Sequence, residues 1–413
     1  MKKVLWIFVM ILCALGVFFV FAQERKVGIS LENFIQEPQN QSETTSSFEQ
    51  PSEEEISQRP QKLEHPPKVI RALYLTSWSG GSTKKLNYVI DLAKRTPINA
   101  VVIDIKDFSG YVAYDTDVPE LERYGAEEKR ILDVDHTVRT LHDVGIYVIA
   151  RLTVFQDPLL AQARPDLAVQ DARSSLEDPT PWKDRKGISW VDSSSREVWD
   201  YNIAIAQDAI AHGFDEINFD YIRFPSDGDL DMMRFSSWDK TRPMHEIIRE
   251  FFAYLDEHVS QVPISADLFG LTTTAMNDLG IGQVIEDAYE YFDFVSPMVY
   301  PSHYAPGSYG YAKPALYPYE IVYGSLEGAM KRLYPPPVVV ASSTESVAQE
   351  TTSQKKFIAK LRPWLQDFDL GADYTADMIQ AQIRATRDVT GEDYVGYMLW
   401  APSNIYTEGG IVE

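Results

Sequence analysis

Cysteine and positive charge are scarce in this chain of 413 residues. The only cysteine, Cys13, lies in an N-terminal apolar run, so the remaining sequence can supply no disulfide, thiolate metal site or thiol nucleophile. The 61 acidic residues exceed the 38 lysines and arginines, and the formal net charge is −23. This charge repels phosphate backbones, and no Lys/Arg-rich stripe counteracts it, so we expect no nucleic-acid partner.

Motifs for nucleotides and for common hydrolases are also missing. The sequence contains no Walker, Rossmann, GxSxG or HExxH pattern, which removes the usual grounds for a nucleotide, serine-hydrolase or zincin site. The acidic run DGDLD at 227–231 lacks the other ligands of a calcium loop, so we interpret it as a solvated loop. We therefore predict no cofactor and no metal ion.

Residues 1–22 have the pattern of an export signal. Lys2 and Lys3 precede an uninterrupted apolar run over 4–22, which is long for a cleaved signal peptide and just long enough to span a bilayer. Residues 20–22 also form a passable cleavage site, so a signal peptide and a membrane anchor both remain open. Because the two lysines keep the N-terminus inside, we expect the rest to be extracellular or at the cell surface, touching the membrane only through this segment.

The composition changes twice after the apolar run. Residues 23–67 are polar, rich in Glu, Gln, Ser and Pro, and nearly free of aromatics, which predicts a disordered acidic linker. Over 68–413, short β-rich runs alternate with amphipathic helical patterns, which is typical of βα units around a parallel sheet. This second region is therefore predicted to be one folded domain.

Eight β-rich runs can be counted in the predicted domain. The predicted strands cover 69–77, 99–107, 147–155, 216–224, 263–270, 293–301, 361–369 and 396–403. The run VVVAS at 338–342 competes for the seventh place. Eight strands alternating with helices predict an α/β fold, a (β/α)8 TIM barrel with enlarged loops.

The fourth predicted strand carries an unusual number of charges. The stretch GFDEINFDYIRFP at 213–225 is rich in β-branched and aromatic residues, yet it contains four charged side chains. In such barrels, inner positions at the carboxyl ends of strands face the active-site mouth, where polar residues meet a ligand. Alternation places Asn218 and Asp220 at these inner positions, with Arg223 in the following loop.

Other predicted strands also end in polar or aromatic residues. These residues are Asp104 and Lys106 in the second strand, Arg151 in the third, Asp267 in the fifth, Tyr300 in the sixth, Gln366 and Asp367 in the seventh and Trp400 in the eighth. A single Asp at a strand end can cap a helix or form an ion pair, but such uses do not require clustering at one end. Carboxylates beside aromatic rings suit glycoside hydrolysis, in which one acid protonates the leaving oxygen and another is nucleophile or base.

Three further residues have two interpretations each. His303 in the run PSHY either binds a substrate hydroxyl or is an interior histidine satisfied by its neighbours. Trp182 and Trp190, in the long loop after the third strand, either form a sugar platform or pack beneath that loop.

Six long motifs of this chain resemble those of one known family. They are IDIKDFSGYVAYDTDVP (103–119), ARLTVFQDPLLAQARPDLAV (150–169), GFDEINFDYIRFPSDG (213–228), SPMVYPSHY (296–304), RPWLQDF (362–368) and MLWAPSNIY (398–406). From about Arg71 to Tyr406, the chain resembles the bacterial "putative glycosyl hydrolase" domain family. The resemblance implies a barrel similar to those of alpha-amylase-type and related glycosidases.

The fourth-strand motif also looks like the acidic signature of chitinase-type barrels. Asp215, Asn218 and Asp220 stand at matching places. Ile222, however, stands where that family has its catalytic Glu, which puts a substrate-assisted chitinase mechanism in doubt.

The alpha-amylase type offers a second parallel, with acids on strands four, five and seven. Asp220, Asp267 and Asp367 match that order, although the strand-five acid of that type is a Glu. We predict Asp220 as nucleophile or electrostatic stabiliser and Asp267 as general acid/base, with Asp104 and Asp367 as further catalytic candidates. The predicted substrate-binding residues are Asn218, Arg223, Arg151, Lys106, Tyr300, His303, Gln366 and Trp400.

Two functions follow from these predictions. The first is an exported glycoside hydrolase that cleaves an extracellular or cell-envelope polysaccharide, with a polysaccharide or oligosaccharide as its partner. The second is a non-catalytic glycan-binding protein on the same scaffold, because Ile222 replaces the expected Glu and barrels host many chemistries.

Overall fold

The computed structural model describes residues 59–335 and 357–412. The predicted export segment with Cys13, residues 23–58 of the predicted linker and the competing run at 338–342 lie outside the described residues. Among the described residues, no helix is long and apolar enough to cross a membrane.

Eight parallel strands close into a barrel. The strands are β1 (Ile70–Leu75), β2 (Ala100–Lys106), β3 (Tyr147–Thr153), β4 (Glu216–Asp220), β5 (Ile264–Phe269), β6 (Phe294–Met298), β7 (Lys360–Leu361 and Trp364–Gln366) and β8 (Gly396–Trp400). Each strand pairs with the next along the chain, and β8 pairs with β1. Trp364 of β7 is in register with Met298 on one side and Met398 on the other, which completes the ring. The predicted (β/α)8 barrel and its eight strands are confirmed.

Helices and short elements fill the connections. The α-helices are α1 (Ser77–Gly80), α2 (Thr83–Ala93), α3 (Pro119–Tyr124), α4 (Val134–His142), α5 (Pro158–Ala163), α6 (Arg196–Ala211), α7 (Met244–His258), α8 (Ile285–Tyr291), α9 (Pro318–Leu333) and α10 (Ala376–Thr390). The 3-10 helices are Leu230–Met232, Gly270–Thr273, Pro301–His303, Ser308–Gly310, Pro314–Leu316, Gly391–Asp393 and Glu408–Gly410. A small antiparallel ribbon joins Gln170–Asp171 to Met233–Arg234 within the loops after β3 and β4.

Helix α6 shows how local sequence sets an element. Its N-cap, Ser195, accepts a hydrogen bond from the backbone N–H of Val198, which satisfies a donor left free by the first turn. After the helix, Gly213 adopts φ +83°, a conformation that glycine tolerates without a Cβ clash. A Cβ there would lie 2.5 Å from the carbonyl oxygen of Pro60, so this close approach also requires glycine.

Strand alternation produces an inner and an outer core. On β1, Ala72 and Tyr74 face the barrel interior, whereas Leu73 and Leu75 pack in the larger cluster between strands and helices. The apolar inner cluster comprises Ile70, Ala72, Tyr74, Ala100, Val102, Tyr147, Ile149, Tyr300, Trp364 and Met398. The apolar interior of the barrel is therefore a separate and smaller cluster than the layer between strands and helices.

The described part of the predicted linker contacts the barrel. The backbone N–H of Leu63 donates to Asp215 Oδ1 at 2.6 Å, and the Leu63 side chain packs against the inner cluster. Lys62 Nζ donates to the carbonyl of Gln261 at 2.5 Å, and Arg59 pairs with Asp117. Since Asp215 directly precedes β4, the segment 59–67 covers the amino-terminal end of the barrel and belongs to the folded unit.

Candidate active site

Three carboxylates surround one guanidinium at the carboxyl ends of β2 to β5. Arg151 Nη1 donates to Asp104 Oδ1 at 2.5 Å, and Nη2 donates to Asp220 Oδ2. Its Nε lies 3.5 Å from Asp267 Oδ2. All four residues are buried, so these charges interact in a poorly screened environment.

Parallel register explains why these residues meet. Asp104 is directly opposite Arg151 across β2 and β3, and Arg151 is opposite Asn218 across β3 and β4. Asp220 and Asp267 lie on the same inward-facing sides of β4 and β5, because their outward neighbours Phe219 and Ala266 pack in the outer core. The closed barrel thus brings together four strand-end residues that the sequence separates.

Asp267 is the most deeply buried acid of the three. Its Oδ1 accepts hydrogen bonds from Asn218 Nδ2 at 2.9 Å and from Trp364 Nε1 at 2.7 Å. Burial and the charge of Asp220 nevertheless raise the pKa of Asp267 to about 8, against the opposing effect of Arg151. Asp267 is therefore protonated at neutral pH.

Asp220 has the opposite environment. Its two oxygens accept hydrogen bonds from Arg151 and from the backbone N–H of Tyr221, at 2.6 Å for the latter, and both donors stabilise a carboxylate. Its side chain is 8% exposed, against 4% for Asp104 and 1% for Asp267. Tyr221 adopts φ +54°, and this left-handed residue ends β4 before its predicted boundary. Of the three acids, Asp220 is therefore the most accessible to solvent.

Asp104 and two aromatic residues form one wall. Tyr74 donates its hydroxyl to Asp104 Oδ2 at 2.5 Å, and burial raises the pKa of Asp104. The Tyr74 ring stacks on Trp400 at a centroid distance of 3.7 Å, and the Arg151 guanidinium lies 5.0 Å from the Trp400 ring. Trp400 is partly exposed, so this wall offers an aromatic surface beside the carboxylates.

Tyr300, His303 and Phe368 form an aromatic group on the β6 and β7 side. The Tyr300 ring lies 5.2 Å from His303 and 5.7 Å from Phe368. Burial lowers the pKa of His303 to about 4, so its imidazole is neutral at pH 7. Gln366 accepts a hydrogen bond from the Ser302 N–H and donates to the Phe368 carbonyl, which holds these two loops together.

Arg223 lies beside the site without a hydrogen bond to the three carboxylates among the described residues. Its guanidinium is 4.8 Å from the rings of both Trp190 and Phe269, and it donates to the carbonyl of Phe224. Burial lowers the pKa of Arg223. Trp182 and Trp190 are both fully buried. Of the two interpretations given for them, the structure agrees with packing beneath the loop and not with a sugar platform.

Lys106 does not reach the site, contrary to the prediction. A β-bulge shifts the register of β2 against β3 between Asp104 and Lys106, so strand alternation breaks and Lys106 points away from the barrel interior. Its Nζ lies 2.7 Å from Asp157 Oδ2 and donates to the carbonyl of Thr153 and to Asn202 of α6. Lys106 thus forms a buried ion pair in the outer layer.

Asp367 also lies outside the group around Arg151. Its carboxylate accepts hydrogen bonds from the Thr407 N–H at 2.9 Å and from the Thr407 hydroxyl at 2.7 Å. Adjacent strand residues face opposite sides, so Gln366 and Asp367 cannot both point inward. Ile222 is fully buried in the outer core and does not stand in for an acid at the mouth. Neither the alpha-amylase trio nor the chitinase pattern is reproduced.

Sequence reasoning missed two residues of the site. Tyr74 and Trp364 each donate a hydrogen bond to an acid of the group, from β1 and β7. The sequence feature that could have identified them is a Tyr or Trp, whose O–H or N–H can donate a hydrogen bond, at an inward-facing position of a strand.

Residues 72–406 match the family described as "Putative glycosyl hydrolase domain". No curated protein sequence matches the chain. A hypothetical protein from Ruminiclostridium thermocellum is 42% identical over 47% of this chain and 96% of its own, with a TM-score of 0.43. An alpha-galactosidase from Thermus thermophilus in complex with stachyose is 12% identical over 84% of this chain and 65% of its own, with a TM-score of 0.45. The glycoside hydrolase domain of PelA from Pseudomonas aeruginosa is 11% identical over 82% of this chain and 97% of its own, with a TM-score of 0.42.

Proposed function

Because the chain belongs to the glycosyl hydrolase family matched over residues 72–406, we propose that this glycoside hydrolase works through the carboxylates around Arg151. One observation carries the proposal: Asp267, whose pKa burial and the charge of Asp220 raise to about 8, and Asp220 contact the same guanidinium. Glycosidic cleavage needs such a pair, since one group must deliver a proton and the other must bear negative charge.

Asp267 is the proposed general acid and Asp220 the proposed nucleophile or electrostatic stabiliser. As the glycosidic bond breaks, the leaving oxygen takes the proton from Asp267 while Asp220 faces the anomeric carbon. Water then adds at that carbon, which also breaks the bond that Asp220 forms when it acts as nucleophile, and returns a proton to Asp267, so the enzyme is restored. Both acids contact one guanidinium, and the separation of their carboxyl groups decides between retention, at about 5 Å, and inversion, at about 6.5 to 9.5 Å.

The surrounding residues are proposed to hold this pair and the sugar. Asp104 fixes the orientation of Arg151, because it accepts a hydrogen bond from that guanidinium and another from Tyr74. Trp400, which stacks on Tyr74 and is partly exposed, offers its ring to a sugar face.

The proposed substrate is a neutral or cationic polysaccharide outside the cell, in the environment or in the cell envelope. The formal net charge of −23 and the three acids of the site disfavour a polyanionic glycan. The apolar run over 4–22 supports export, either after cleavage or with this run as an anchor.

The test is reducing-end release by the full chain on a panel of α- and β-linked polysaccharides and peptidoglycan. Asp220→Asn is expected to reduce release at least about 100-fold, because it removes the charge that faces the sugar. Asp367→Asn changes a buried carboxyl outside the group and is expected to retain most activity. Release should also fall above about pH 8, where Asp267 loses its proton.

Two results would count against this assignment. Equal release by Asp220→Asn and the parent chain would show that Asp220 takes no part in catalysis. Glycan binding without release, unchanged in Asp220→Asn, would instead support the alternative function of a non-catalytic glycan-binding protein.

A further inference from the structure

We propose that Asp117, Asp208 and His212 form a binding site for a divalent transition-metal ion of the Zn²⁺ class on the outer layer of the barrel. One ligand atom from each of the three residues lies within 4.8 Å of the other two. His212 lies three residues before Asp215, which directly precedes β4, so the site is near the amino ends of the strands. The carboxylates around Arg151 lie at the opposite ends of the same strands.

Helix α6 and one loop present the three ligands. Asp208 and His212 are four residues apart at the end of α6, so their side chains lie on the same face of the helix. Asp117 comes from the loop after β2, and its backbone N–H donates to Asp208 Oδ1 at 3.0 Å. This hydrogen bond holds the loop on the last turn of the helix. The C-terminus of a helix also carries partial negative charge, which favours a cation.

His212 supplies independent evidence for a ligand. Its Nδ1 lies 2.6 Å from Asp135 Oδ1, whereas its Nε2 is buried, has no hydrogen-bond partner among the described residues and lies 3.9 Å from Asp208 Oδ2. The side chain is 8% exposed. When Nδ1 carries the ring proton and donates it to Asp135, Nε2 is left as an acceptor beside Asp208. Metal-binding histidines adopt this arrangement, and an unpaired buried acceptor is otherwise costly.

Among the described residues, carboxylates outnumber the basic side chains that pair with this group. Asp117, Asp135 and Asp208 lie around one imidazole, and Arg59 pairs with Asp117. Asp208 is buried, and its Oδ2 accepts a hydrogen bond from the Tyr114 hydroxyl at 2.9 Å. A divalent cation would neutralise this excess of carboxylates more completely than a single proton.

The donor set selects the class of metal. One imidazole nitrogen with two carboxylate oxygens suits Zn²⁺ and its first-row neighbours, whereas Ca²⁺ and Mg²⁺ prefer oxygen ligands alone. Tetrahedral Zn²⁺ bonds of about 2.0 to 2.2 Å hold ligand atoms about 3.4 Å apart, so ligand atoms that lie within 4.8 Å of one another must approach by up to about 1.4 Å. Asp117 can provide this movement, because its side chain is 35% exposed. A bound ion would tie α6 to the loop after β2.

Zn²⁺ is the probe for the test. The full chain, freed of metal by a chelator, is titrated against a chromophoric competitor for Zn²⁺. One ion per chain is expected, with micromolar or tighter affinity. His212→Gln should weaken binding at least about 100-fold, and Asp135→Asn, which acts through the histidine, about 10- to 100-fold.

His245→Gln is the matched control. His245 also pairs with a carboxylate, that of Asp287, but among the described residues it belongs to no group of three ligands, so the variant should bind Zn²⁺ normally. If His212→Gln fails to fold, Asp117→Asn replaces it, because that side chain is more exposed. Zn²⁺ should raise the melting temperature of the parent chain and of His245→Gln, but raise it less for Asp117→Asn.

Two binding results would overturn the proposal. One is the absence of stoichiometric Zn²⁺ binding by the parent chain. The other is parental affinity in both His212→Gln and Asp117→Asn, which would place any bound ion elsewhere. X-ray absorption at the zinc edge should show one imidazole among oxygen ligands, and a shell without imidazole would equally contradict the proposal.

Discussion

Asp267 combines deep burial with a neighbouring negative charge, and both effects favour its protonated form. The folded protein therefore binds this proton more tightly than the unfolded chain does. The stabilising contribution of Asp267 is complete below its unfolded pKa, near 4, and is lost as the pH rises through about 8. Over this interval the unfolded chain loses the proton while the folded protein keeps it, so the unfolded state becomes relatively more favourable as the pH rises.

Asp267→Asn should remove this pH dependence. The amide keeps the shape and neutrality of the protonated acid. From pH 5 to pH 8, the free energy of unfolding of the variant should therefore rise relative to that of the parent chain. The gain is at most about 1.4 kcal/mol per pH unit for one proton. Urea unfolding at pH 5, 7 and 9 measures it, with the exposed Asp373→Asn as control. A parallel profile for the two chains would contradict protonation of Asp267 in the folded state.

The site residues show how far single positions could be predicted. Asp104, Arg151, Asp220 and Asp267 were all named from their places at strand ends, and the structure brings them together around one guanidinium. Which of these acids holds a proton could not be predicted, because that depends on burial and on distances between strands. Their catalytic roles remain the proposal tested above.

At the scale of the element, one bulge in β2 redirects a charged residue. Asp104 faces the barrel interior, but the register shift turns Lys106 toward the outer layer and into an ion pair with Asp157. Both side chains are completely buried, so removal of one leaves an unpaired charge in a poorly solvated place.

Lys106→Met should therefore destabilise the fold rather than weaken substrate binding. The free energy of unfolding is expected to fall by about 3 to 5 kcal/mol, measured in urea. The double variant Lys106→Met/Asp157→Asn should recover part of this loss, because it removes the orphaned charge. Asn at 157 can still cap α5, where Asp157 now accepts a hydrogen bond from the Leu160 N–H. Normal stability combined with a raised KM would instead indicate that Lys106 binds the substrate.

The strands and their boundaries were predictable in most cases. Alternation and β-rich composition located all eight strands, including β7, which the run at 338–342 contested in the sequence. The end of β4 was predicted too late, since the left-handed backbone at Tyr221 is stabilised by contacts that alternation does not encode. Trp190, whose ring lies 6.0 Å from that of Tyr221, is one of these contacts.

At the scale of the whole molecule, the segment 59–67 closes one end of the barrel. Its backbone bonds to Asp215 and its leucine packs on the inner cluster, although its composition predicted a disordered linker. Composition underestimates how ordered such a segment is, because its order comes from contacts with a distant part of the chain.

A chain that begins at residue 67 should be less stable than one that begins at residue 59. The loss of the Leu63 contacts and of the Arg59 pair is expected to cost on the order of 1 to 3 kcal/mol of unfolding free energy. Urea unfolding of both chains measures the difference, and Lys62→Ala in the longer chain tests whether that exposed hydrogen bond contributes. Equal stability of the two chains would show that the contacts of this segment do not contribute to the free energy of unfolding.

The sequence by itself determined the barrel and the inward placement of Asp104, Asp220 and Asp267, because a period of two and a regular spacing of strands are local properties of the chain. Only the tertiary structure decided which acids share a guanidinium, which of them holds a proton, and which charged residue a bulge turns away. The grouping of Asp117, Asp208 and His212 was equally beyond the sequence. These features depend on distances and burial that exist only after the strands and helices have packed, whereas the pattern of a strand is complete within its own residues.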